Sequence, residues 1–229
     1  MFIMDPLLSI ILIYLVAAVL PAVILIEYAK SQPSLHHQPS SVMVHLVLQG
    51  VVAALIALVL EWLMQFATSN VALTVWQTYL FVGLIEEGAK LYVLKKETWN
   101  SPYFYTRYDG LLYAVFVSLG FAAFENIKYV YAYGLSVAVT RAFLAIPAHM
   151  AFAVLMGMFY GRARQASYHH KSFTAGFFGV LSYVVPVALH CAYDSTASYQ
   201  TLPFILVVVV IYLIVFRLVK KEAMTDSFI

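Results

Sequence analysis

The chain has 229 residues, 63% of them hydrophobic and 10% charged, with a net charge of +2 and a mean hydropathy of +0.87. A soluble domain carries roughly 25% charged residues, so this much apolar surface excludes a single water-soluble core and indicates a polytopic membrane protein. The small net charge argues against a nucleic-acid partner, and a lone cysteine, Cys191, excludes an intrachain disulfide.

In chain order, apolar runs predict about seven spans, at about 7–28, 42–66, 71–95, 109–132, 140–161, 173–198 and 202–219, each near the roughly 20 residues that a bilayer requires. Open backbone is not tolerated in lipid, so every span is expected to be a helix. The expected fold class is therefore all-α, a polytopic membrane helix bundle forming one integral-membrane domain over 1–229. The first run has no basic residues before it and no small-residue cleavage pattern after it, so it reads as a retained helix rather than a signal peptide. The stretches "SQPSLHHQPSS" (31–41), "ETWNSPYFYTR" (97–107) and "GRARQASYHHKS" (161–172) are read as loops.

Lys and Arg set the expected orientation. Lys30, Lys95, Lys96, Arg107, Arg162, Arg164, Lys171, Arg217, Lys220 and Lys221 fall on one side, and Arg141 alone on the other. Cytoplasmic loops carry the basic excess, which puts the N-terminus outside and the C-terminus in the cytoplasm. Trp99, Tyr103, Tyr105 and Tyr108 then suit an interfacial belt on the cytoplasmic side.

Against this apolar background the polar residues stand out. Glu86, Glu87 and Lys90 lie in the third span, Glu125, Asn126 and Lys128 in the fourth, His149 in the fifth, and His190 with Asp194 in the sixth. A charge at the bilayer centre costs about 2.5–3.5 kcal/mol on insertion scales, so six of them would together cost at most about 15–20 kcal/mol. Helix glue accounts for one pair, since Glu86 and Lys90 are four residues apart on one face. It does not account for complementary acids and imidazoles on four spans. At 1.5 Å rise per residue, Glu125, His149 and His190 come to similar depths in the outer half, with Glu86 and Glu87 near mid-depth. They can therefore share one cavity.

Such a cavity has the equipment for hydrolysis. One of two adjacent carboxylates can hold its proton while the other takes one from water. A histidine with an aspartate one turn away has a fixed ring that can stabilise a developing oxyanion. His149 and His190 with carboxylates could equally hold a Zn²⁺-like ion with an open position. The metal is not fixed by the sequence. The spacing of His190 and Asp194, and the presence of Lys90, favour the metal-free glutamate-and-histidine reading, with zinc as its alternative. No nucleophile-elbow or HExxH sequence supports a serine or metallopeptidase motif of those kinds. A proton- or metal-coupled transporter would also place carboxylates and histidines in the membrane, but inverted repeats or broken-helix pairs are not evident.

Three short motifs carry a resemblance. "EEGAK" (86–90) fits EExxK, "FAAFE" (121–125) fits FxxxE, and "HCAYD" (190–194) fits HxxxD, in that order on three spans. The segment "RYDGLLYAVFVSLGFAAFENIKYV" (107–130) and the surroundings of His149 extend it over most of the chain. The sequence resembles the PrsW family of bacterial intramembrane proteases, relatives of the CAAX prenyl endopeptidases and of bacteriocin-immunity proteins. The resemblance implies a multi-pass protease of the bacterial cell membrane. Such an enzyme makes the first, extracytoplasmic cut in a single-span anti-sigma factor and so leads to release of an extracytoplasmic-function sigma factor under envelope stress. It implies a functional set of Glu86, Glu87, Glu125, His190 and Asp194, joined by His149, with Lys90 and Asn126 in support. In the CAAX enzymes asparagine is usual in place of Asp194 and histidine in place of Glu125, which leaves mechanism and metal dependence open. A non-catalytic immunity or scaffold protein on the same fold is a further alternative that the intact motifs oppose. A retinal-type Schiff base on Lys90 is set aside, because the flanking glutamates and the three motifs fit a protease better.

Other features have plain structural readings. Gly157 and Gly161 form a GxxxG suited to close helix packing. His36, His37, His169 and His170 are expected to be solvated in loops, and the many Tyr and Phe residues to face lipid or the interface.

Overall fold

A computed structural model describes residues 6–199 and 202–229. Among them the chain is almost wholly helical, with helices α1 (Pro6–Lys30), α2 (Ser40–Ala67), α3 (Val75–Thr98), α4 (Arg107–Tyr133), α5 (Leu135–Phe143), α6 (Ala145–Tyr168), α7 (Ser172–Ala197) and α8 (Leu202–Met224). The bundle is polytopic. Leu8–Lys30, Ser40–Ala67, Arg107–Tyr133, Leu135–Tyr168 and Ser172–Ala197 are long and apolar enough to cross a membrane by length and composition. α3 has comparable length but carries Glu86, Glu87, Lys90, Lys95, Lys96 and Glu97, whereas α8 is apolar from its start and gathers its charges in its last turns, from Arg217 on. Leu12, Val16, Leu20 and Ile24 on α1, and Leu206, Val210 and Leu213 on α8, point outward. That is the surface lipid requires and water would not.

α4 is the axis of the bundle, buried over most of its length. It can be approached closely because it and its neighbours carry glycine at the crossings. A Cβ on Gly157 or Gly161 of α6 would collide with the backbone of Leu111, Gly110 or Arg107, and one on Gly120 with the backbone of Val47 on α2. The GxxxG reading is thus met by direct α4–α6 backbone contact.

The fifth predicted span, 140–161, is a bent pair rather than one rod. α5 and α6 meet at Leu144. The cause is Pro147, which has no N–H for the carbonyl of Phe143 four residues earlier. The one proton of the Tyr212 hydroxyl of α8 is shared between that carbonyl and the Leu144 carbonyl, 2.9 Å away. The loop predicted at 161–172 is mostly helix, since α6 runs on to Tyr168.

One end of the bundle gathers the α1–α2, α3–α4 and α6–α7 connections, the chain's last residues and most of its basic side chains; we refer to it as the basic end. Thr106 caps α4 in a reciprocal box with Asp109. Fully buried Asp109 also receives Gln38 Nε2 at 2.6 Å and lies 3.2 Å from His36 Nδ1. His36 is therefore tied down rather than solvated, because a buried carboxylate needs donors. His37, His169 and His170 are exposed as expected. Tyr108 is likewise not interfacial. It is 1% exposed and donates to the Ala29 carbonyl at 2.9 Å. Tyr113, Tyr160, Phe116, Phe121 and Phe152 are also buried core, so the aromatic side chains serve helix packing as much as the lipid surface.

Candidate active site

The helices bring Glu86, Glu87, Lys90, Glu125, His149, His190 and Asp194 into one network. α3 presents two carboxylates and an ammonium on successive turns, and α7 turns His190 and Asp194 towards them. Lys90, 1% exposed, is the centre. Its Nζ lies 2.9 Å from Glu87 Oε1, 3.2 Å from Glu86 Oε2 and 3.1 Å from His149 Nδ1. It also stands 4.0 Å from the centroid of the Phe121 ring. An ammonium only donates. His149 Nδ1 is therefore the acceptor, and the ring's proton sits on Nε2, which donates to Glu125 Oε2 at 3.1 Å. The tautomer follows from the partners.

His190 has an acid at each nitrogen. Nδ1 is 2.8 Å from Glu87 Oε1, and Nε2 is 3.2 Å from Asp194 Oδ2 and 3.9 Å from Glu86 Oε2. Phe152 stacks on its face at 4.7 Å. The ring is thereby fixed in plane and direction. His149 meets it edge-on at 5.6 Å.

Glu86, Glu125, His149, His190 and Asp194 line a cavity of about 780 Å³ in the half of the bundle away from the basic end. Its mouth is formed by late turns of α2, α4 and α7, by α5, and by early turns of α3, α6 and α8. Glu87, fully buried, lies behind the wall and holds both Lys90 and His190. Asn126 is buried as well but stands outside the cavity. Its Nδ2 donates to the Ala18 carbonyl at 2.8 Å, and its Oδ1 accepts from Arg141 Nε at 3.0 Å. It thereby links Arg141 to α1.

Two cavity residues were not singled out from sequence. Arg141, counted there only as the one basic residue opposite the basic end, donates to Glu125 Oε2 at 2.9 Å and stacks over Tyr129 at 4.0 Å. Glu61 of α2 also lines the cavity. Its signal was a lone glutamate in an otherwise apolar run.

The donor chemistry suits a divalent cation. Glu86, Glu87 and His190, and separately Glu86, Glu125 and His149, each place ligand atoms within 4.8 Å of one another. Glu87 Oε2 is buried with no hydrogen-bond partner. Carboxylate and imidazole donors are those of catalytic zinc sites.

Comparisons with known proteins identify relatives of the chain. Residues 38–219 match the family model described as "PrsW family intramembrane metalloprotease". The chain is 31% identical over 178 residues to "Protease PrsW" of Geobacillus kaustophilus (strain HTA426), covering 78% of this chain and 76% of that protein. It is 29% identical over 213 residues to "Protease PrsW" of Clostridioides difficile (strain 630), covering 90% and 88%. With "Protease PrsW" of Bacillus subtilis (strain 168) the identity is 30% over 198 residues, covering 82% and 87%. No solved structure matches the chain. The family is described as metalloproteases, and the glutamate and histidine groups of this site could hold a metal. A membrane-spanning helical bundle with buried acid and imidazole groups around a cavity, matched over most of its length, places this chain in the PrsW family of intramembrane proteases.

Proposed function

We propose that this peptidase cuts a single-span membrane protein of the anti-sigma-factor class, on the extracytoplasmic side of a bacterial cell membrane. On this reading the cut is the first in the series that frees a sigma factor under envelope stress. The observation that carries the proposal is the position of the cavity. It opens in the half opposite the basic end, and the basic end is the cytoplasmic one by the positive-inside rule. The motif resemblance supports the substrate class.

Glu86 faces the cavity and is the proposed base. It takes a proton from water, and the resulting hydroxide attacks the scissile carbonyl carbon. His190, held by Glu87 at Nδ1, releases its Nε2–H from Asp194 to the oxyanion that forms. The proton on Glu86 then passes to the amine nitrogen as the C–N bond breaks. Lys90 balances the two glutamates, and His149 and Arg141 fix Glu125 on the opposite wall. Glu86 with Glu87 and His190, or with Glu125 and His149, would hold a divalent cation. When bound, such an ion supplies Lewis acidity to the carbonyl and to the attacking water.

The test is cleavage in liposomes of a purified single-span anti-sigma factor, with and without chelator, with the cut mapped by mass spectrometry. Wild-type protein should cut near the extracytoplasmic end of the substrate span, and Glu86→Gln should not. Equal cutting by both overturns the assignment of the base. A cysteine introduced at Ser167 should label only from the cytoplasm; labelling from outside intact cells would reverse the proposed side of cleavage.

A further inference from the structure

The hydrolytic scheme leaves unused an intramembrane carboxylate that lines its cavity. Glu61 stands near the end of α2 and belongs to none of the three motifs. It is half-buried, and among the described residues its carboxylate makes no hydrogen bond and no ion pair. Helix glue requires a partner, so that explanation fails here. An ionisable group in a span without one marks a ligand or substrate path by default.

Its place in the fold says what kind. Glu61 and Val82 line the large cavity and also a second one of about 330 Å³ at the α2–α3 connection. The second cavity is walled by Met64, Val71 and Leu73, with the oxygens of Gln65, Thr68 and Thr78 among them. An apolar wall, a few neutral acceptors and one free carboxylate match the two parts of a long basic side chain. The aliphatic stem lies along the wall, and the cationic head donates to the oxygens. Lys128 of α4 lines the large cavity with Glu61, yet it is exposed and forms no ion pair with it. A substrate cation therefore meets an available carboxylate.

We propose that Glu61 and the small cavity form a subsite that receives a lysine or arginine side chain of the substrate close to the scissile bond. The inference rests on the peptidase reading of the large cavity and adds to it the chemistry of the residue selected. A library of single-span membrane peptides, randomised at the extracytoplasmic end and reconstituted with purified protein, tests it when cut sites are read by mass spectrometry. Wild-type protein should enrich Lys and Arg about tenfold at one fixed distance from the cut. Glu61→Gln should abolish that enrichment while still cutting peptides with neutral residues there. Glu61→Lys should replace it with a preference for Asp and Glu. The inference is overturned if wild-type cuts without a basic preference, if the preference survives in Glu61→Gln, or if both variants lose all peptides equally. If wild-type cuts no peptide at all, the hydrolytic reading of the cavity falls, and this inference with it.

Discussion

Two buried carboxylates in this bundle are held in opposite ways. Asp109, at the basic end, is saturated. Oδ2 receives the backbone N–H groups of Tyr105 and Thr106 at 2.9 and 2.8 Å, and Oδ1 receives Gln38 Nε2 and contacts His36. Glu87, equally buried, has Lys90 and His190 on Oε1 and nothing on Oε2. The first network is closed and joins the α1–α2 loop, the α3–α4 loop and α4. The second is left open beside a cavity. A saturated buried acid determines where chain segments go, whereas an unsaturated one has capacity left for something that arrives.

That contrast can be broken by mutation. The largest effect is expected at the open network. Glu86→Gln preserves shape and should lower peptidase turnover about 10²–10⁴-fold, the usual contribution of a positioned acid–base group, with thermal stability and detergent elution unchanged. A variant that cuts at the wild-type rate would make the open network as structural as the closed one. Next comes Lys90→Met. It strips Glu86 and Glu87 of their shared cation, and an unpaired buried charge costs about 3–5 kcal/mol. The protein should lose its folded yield, and Glu86→Gln added to Lys90→Met should restore part of it. No recovery in the double variant would show that Lys90 does more than balance charge.

The closed network gives the reverse pattern. Asp109→Ala orphans several donors at once and should destabilise by about 1–3 kcal/mol, read as a lower melting temperature in detergent, while turnover per folded molecule stays within about two-fold of wild type on the usual scale of remote substitutions. A selective loss of turnover would dissolve the distinction between the two ends. The smallest effect is that of Thr106→Ala, which removes one side of the α4 cap and should cost about 1 kcal/mol, measured in the same melt.

The sequence displayed the open network better than the closed one. Glu86, Glu87, Lys90, Glu125, His149, His190 and Asp194 were legible because each interrupts an apolar run, and a charge in lipid demands an explanation. Their rough depths were legible from helical rise alone. Arg141 was read only as topology because it sits at a span end, where a basic residue needs no other explanation. Only the return of α5 against α4 carries it to Glu125. Glu61 was missed for a related reason, since one acid near a helix end needs no partner until the surrounding voids are seen. Asp109 and His36 were hidden because one stands at the very start of a predicted span and the other in a polar loop, where a polar residue needs no explanation, and their contact joins positions 73 residues apart. The break at Leu144 could have been read from Pro147, but not the partner on α8 that makes it tolerable.

That partner ties two distant parts of the chain into one moving unit. The Phe143 carbonyl cannot be served by its own helix, and in a bilayer it has no water to turn to. The Tyr212 hydroxyl serves it from α8. α5 carries Thr140 and Arg141 at the cavity mouth, and α8 begins there with Phe204 and Ile205. Swinging α5 away from α8 would strand a bare carbonyl in hydrocarbon. Widening the mouth between these two helices therefore requires that α8 travel with the joint, or that an arriving polypeptide offer the carbonyl a replacement donor.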